Sequence, residues 1–178
     1  MFLQDPSDSF AFPLDLSSYR KVKINPFTDT TLSESQKADL AHNIQLCRDA
    51  IVFFTAMGAA SGYGGHTGGA YDTVPEVMMM DAFFRTCPDR FVPIFFDEAG
   101  HRVATQYLMS SLEGHIDPEL LRFYRKGHNK LPGHPELGLT YAPRHAPNPP
   151  LRRQDEAHLP PCAGRASSSA PAGSGTCG

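Results

Sequence analysis

The chain of 178 residues has no apolar run approaching the ~20 residues needed to span a membrane. No secretory leader is expected either, because Asp5 and Asp8 stand where such a leader has positive charge followed by an apolar stretch. Lys and Arg are nowhere gathered into a long run, and the net charge of −3 with a pI near 6.2 gives no electrostatic footprint for nucleic acid or an anionic membrane surface. The four cysteines, Cys47, Cys87, Cys162 and Cys177, form no Cys-x-x-Cys pair and are too few for a disulfide scaffold. These absences predict free thiols in a cytoplasmic protein with neither nucleic acid nor membrane as a partner.

A further absence divides the chain. From Tyr141 to Gly178 there is no Val, Ile, Phe, Met or Lys, and Pro, Ala, Arg, Ser and Gly dominate. Such a segment buries too little apolar surface to offset its ordering entropy, so residues 141–178 are expected to be a disordered tail. Its four arginines outnumber Asp155 and Glu156, which leaves the body more acidic than the whole.

The body, at 40% hydrophobic residues for the whole chain, is rich enough for one domain with a real core. Residues 1–32 read as an extended N-terminal arm, punctuated by Pro6, Pro13 and Pro26. A helix is expected from about Ser33, where "SESQ" fits a capping box, to about Gly58, with Leu40, Ile44, Cys47 and Ile51 on one apolar stripe. A second has Thr73 as cap, Glu76 at the reciprocal position and Pro75 in its first turn, and runs to about Arg85. The run "RFVPIFF", Arg90 to Phe96, reads as a buried strand. A third helix follows from about His101 to Glu113, stopped by Gly114. Asp117 and Pro118 open a short fourth that ends near Lys126. Helices around a short strand predict an α/β class.

Three histidines fall at the punctuation points of this layout: His66 in "GGHTGG", His101 in "DEAGH" and His134 in "PGHPE". Each follows a glycine at an element boundary, where a backbone approaches closely and loops carry function. His42, His115, His128, His145 and His158 read as ordinary solvent-facing histidines. Common motifs fail: Thr67 stands where Gly-x-Gly-x-x-Gly needs its last glycine, and there is no Walker loop and no His-Glu-x-x-His. "EAGH" gives one Glu-x-x-His, whereas a di-iron bundle needs two. A lone metal site for a hydrolase, built from His66, Asp97, Glu98 and His101, stays open as an alternative.

"GHTGG", then "DRF…DEAGH", then "LPGHPELGLT" together resemble the N-terminal part of transketolases, the thiamine-diphosphate enzymes that transfer a two-carbon ketol unit between sugar phosphates. The motifs occur in the family's order, with similar spacing between the histidines, over about Ser35 to Thr140. Thr67 replaces the family's usual proline, and the link between Asp-Arg-Phe and Gly-His is longer than usual. The resemblance implies that 33–140 is a partial thiamine-diphosphate-binding domain. It also implies that His66, His101 and His134 contact substrate and catalysis, with His66 and His134 near the cofactor as well. Imidazoles suit this work because an unperturbed pKa near ~6.5 allows proton exchange with sugar hydroxyls at neutral pH. Family members use Mg²⁺ with the cofactor and are homodimers.

The family's Gly-Leu-Gly turn and its Gly-Asp-Gly with downstream Asn, which hold Mg²⁺ and the diphosphate, do not occur in this sequence, nor does its second domain. After Thr140 the text changes abruptly to "YAPRHAPNPPLRRQ". The expectation is a segment that binds no cofactor alone and is not catalytic by itself; the alternative is a non-catalytic product that acts by binding.

Overall fold

The computed structural model describes residues 11–64, 67–91, 102–126 and 131–134. Five α-helices are described: α1 (Glu34–Ala60), α2 (Thr67–Asp72), α3 (Val74–Thr86), α4 (Val103–Leu112) and α5 (Pro118–Leu121), preceded by a 3-10 turn at Leu16–Ser18. All regular structure among the described residues is helical. The expected α/β class rested on the strand at 90–96; Arg90 lies in a turn, Phe91 follows it without regular structure, and residues 92–96 lie outside the described residues. So do the tail from Tyr141 and the first ten residues of the arm.

Helix α1 spans about 40 Å and forms the axis against which α2, α3 and α4 pack. Its start follows local chemistry. The Ser33 hydroxyl accepts from the Gln36 backbone N–H at 3.2 Å, and the Gln36 side chain accepts from the Ser33 N–H at 2.8 Å, the reciprocal box that satisfies two otherwise orphaned donors. Leu40, Cys47 and Ile51 are buried, and Ile44 packs at the margin of the same core. The helix does not stop at Gly58. That residue is buried inside it, where a Cβ would stand 3.4 Å from the Tyr124 carbonyl oxygen, so its small size permits close approach. The stop is Gly62 at φ +87°: its N–H bonds the Ala59 carbonyl and that of Tyr63 bonds Gly58, the paired pattern of a Schellman cap. Gly114 ends α4 in the same way, as the sequence predicts, at φ +78°.

Helix α3 covers the expected span, but Thr73 does not cap it. Helix α2, which was not anticipated, runs directly into Thr73 and holds it in helical geometry (φ −79°, ψ −9°), so the hydroxyl bonds back to the Gly69 and Ala70 carbonyls. Helix α5 has the expected Asp117 cap but ends at Leu121 rather than near Lys126.

Residues 11–32 of the arm form a strap across the helices. Phe12, Leu16, Val22 and Ile24 enter the same core as α1 and α4. Besides short turns of its own backbone, several of its backbone groups are paired with helix side chains. Asn43 of α1, almost fully buried, accepts from the Arg20 N–H at 2.9 Å and donates to the Arg20 carbonyl at 2.7 Å. Gln36 donates to the Lys23 carbonyl, Thr86 accepts from the Ile24 N–H, and the Glu119 carboxylate accepts from Phe12 N. His42, read as solvent-facing, is half-buried with Nε2 3.1 Å from the Ser18 carbonyl. Among the described residues no helix is long and apolar enough to cross a membrane.

Candidate functional site

Of the three histidines, His134 alone lies among the described residues, and it is exposed. His66, His101, Asp97 and Glu98 lie outside them, so the candidate site is defined by the frame that flanks these positions.

On the His66 side, Gly64 sits at φ +60° immediately after the cap of α1, and Thr67 opens α2. The Thr67 hydroxyl is 2.8 Å from that of Thr55, which itself donates to the Ile51 carbonyl at 2.6 Å inside α1. Helix α2 is tied in turn to α4, whose Thr105 hydroxyl donates to the Ala70 carbonyl at 2.9 Å. The elements that follow His66 and His101 in the chain are therefore packed on each other and on α1.

On the His134 side, two tyrosines hold the segment 131–134. Tyr107 of α4, fully buried, donates its hydroxyl to the Pro132 carbonyl at 2.9 Å. Tyr124, also fully buried, meets Tyr107 edge-on at 6.1 Å between ring centroids and Phe54 at 5.4 Å. Its phenol has no hydrogen-bond partner among the described residues. Burial pushes that phenol up to about 12, an effect that the neighbouring Arg125 charge partly opposes.

Arg125 joins the two sides. Its backbone N–H donates to the Leu131 carbonyl at 2.8 Å, and its guanidinium Nη1 donates to the Gly64 carbonyl at 3.1 Å. It is the one non-glycine residue among those described with positive φ, at +66°, a conformation that costs an L-residue roughly 1–2 kcal/mol. Gly133 lies against this side chain so closely that a Cβ there would stand 2.7 Å from Nε and 2.9 Å from Cζ. Gly64, two residues before His66, and Gly133, directly before His134, thus meet at one guanidinium.

Sequence reasoning did not single out Arg125, Tyr107 or Tyr124. Arg125 lay within the expected fourth helix and carries no turn residue's signature; Tyr107 and Tyr124 look like ordinary core aromatics. Among the described residues no group of three His, Cys, Asp or Glu side chains is arranged to hold a metal ion. No family model matches the chain, and no curated protein or solved structure is found similar to it.

Proposed function

We propose that this chain is the N-terminal, substrate-side segment of a transketolase-like enzyme of the cytoplasm. In this reading His66, His101 and His134 contact a sugar-phosphate ketose, and the chain is not catalytic until sequence that anchors Mg²⁺ and thiamine diphosphate is supplied. The finer fold in this reading is the family's α/β thiamine-diphosphate domain. The observation that carries it is the ordered set "GHTGG", "DRF…DEAGH" and "LPGHPE". The meeting of Gly64 with Gly133 at Arg125 supports it, because two of the three motifs then adjoin one junction. The described side chains suit binding and orientation, with imidazole exchanging protons with sugar hydroxyls.

The test is a chimaera in which residues 33–140 replace the matching stretch of an active transketolase. Ketol transfer should persist, and H66A, H101A and H134A should each lower kcat or raise KM for the ketose without loss of folding. A folded chimaera that binds thiamine diphosphate yet shows no histidine dependence refutes the assignment. Titration of the natural chain with thiamine diphosphate and Mg²⁺ should give no saturable heat in the micromolar range.

A further inference from the structure

We propose that Arg125 is a positioning residue, a latch whose guanidinium fixes the separation between the Gly62–Gly64 turn and the Leu131–His134 segment. These two loops are held in this way whether or not the chain takes part in ketol transfer.

Three observations converge on it. The first is conformational: an arginine is kept in left-handed backbone geometry, which glycine or asparagine would adopt more readily, so something other than backbone preference selects it. That geometry turns the backbone N–H to the Leu131 carbonyl while the side chain reaches Gly64, 61 residues away in sequence. The second is the partner. Among the described residues no carboxylate pairs with Arg125; its one hydrogen bond from the side chain goes to a backbone carbonyl, as expected of a spacer and not of a surface ion pair. The third is the fit at Gly133, where Nε, Cζ and Nη2 occupy the space a Cβ would need, so the guanidinium lies flat on the backbone of the His134 segment. Tyr107 holds that segment from the core side through Pro132, which leaves Arg125 to set its distance from Gly64.

Amide hydrogen exchange on the full chain separates latching from plain stabilisation. Glycine accepts φ +66° without strain and keeps the N–H to Leu131, so R125G deletes the tie to Gly64 while relieving the backbone. The Tyr63 amide, bonded to the Gly58 carbonyl beside the turn, should then exchange faster by on the order of tenfold, whereas the core amides of Ile51 and Tyr107 stay unchanged and Tm does not fall. G133A, which pushes the guanidinium off its seat, should accelerate Tyr63 as well, and R125G/G133A should match R125G alone. R125K, which keeps the charge but lacks the planar fork, should behave like R125G and serves in its place if R125G fails to fold. An unchanged Tyr63 amide, equal acceleration at Ile51 and Tyr107, or additive effects in the double variant would each overturn the proposal.

Discussion

The Tyr19 hydroxyl donates to Asp81 Oδ2 at 2.7 Å, the same oxygen that accepts from Arg85 Nε at 2.7 Å. One carboxylate thereby ties the strap to α3, and Arg85 extends the network to Glu113 at the end of α4. Asp81 is nearly buried, so each donor relieves the cost of holding a charge away from water.

Removing the phenol alone should cost less than removing the acceptor. Y19F is expected to lose about 1–2 kcal/mol as a hydrogen bond to a charged group disappears. D81A should lose about 3 kcal/mol, because it strips a partner from a largely buried ion pair. The double variant should cost less than the two losses added together. Urea denaturation with a shared m-value checks all three.

Stability should fall in alkali. Burial raises the Cys47 thiol to about 12 from its ordinary 9.0 and the Tyr124 phenol to about 12 from 10.0. Tyr19 is raised as well, first by burial and then by the Asp81 charge. A group with a raised folded pKa binds its proton more tightly in the native state, so its contribution is complete below the unfolded value and is lost as pH climbs through the folded one. The loss should begin near pH 9 and continue towards pH 12. Denaturation midpoints at pH 8, 9.5 and 10.5 test this, and C47A should flatten the earliest part of the decline.

The two described cysteines should differ in reactivity. Cys47 is fully buried beside Met78, its sulfur 3.9 Å from the thioether, whereas Cys87 is partly exposed at the end of α3. An alkylating agent followed by peptide mapping should label Cys87 in the native protein and Cys47 only at the rate of unfolding. Native labelling of Cys47 as fast as Cys87 contradicts the packing of α1 on α3.

Y124F should be neutral or stabilising by up to about 1 kcal/mol, since it deletes a buried hydroxyl that has no partner among the described residues and keeps the ring against Phe54 and Tyr107. G62A and G114A should each cost about 1 kcal/mol, because both caps need a left-handed residue. Thermal melts distinguish the opposite signs.

What was legible in the sequence is what depends on neighbours along the chain. The Ser33–Gln36 box, the Asp117 cap and the Gly114 stop are settled within a few residues, and all three occur. Thr73 misled because its cap pattern was intact while α2, built from a glycine-rich text that reads as loop, delivered the chain to it already helical. Asn43 left a faint trace as a polar residue on the face of Leu40 and Cys47; its partner, the backbone of Arg20, has no sequence signal. Arg125 was illegible for the same reason, since its conformation is chosen by Gly64 and Leu131 and not by adjacent residues. For the site itself, the sequence named His134 in the segment that Arg125 and Tyr107 hold, whereas His66 and His101 lie outside the described residues.

The strap is held by side chains that arrive from α1, α3 and α5, separated in sequence by up to 107 residues. None of those acceptors and donors is in place until the helices have met, so the strap is expected to dock after α1, α3 and α5 have packed and to lift away before they separate. Within the body, cleavage by a dilute protease should accordingly fall first between residues 11 and 32 while α1 and α4 are still intact. The exposed seam would then present Cys47, Leu40 and Met78 to water, making loss of this short segment the step from which aggregation starts.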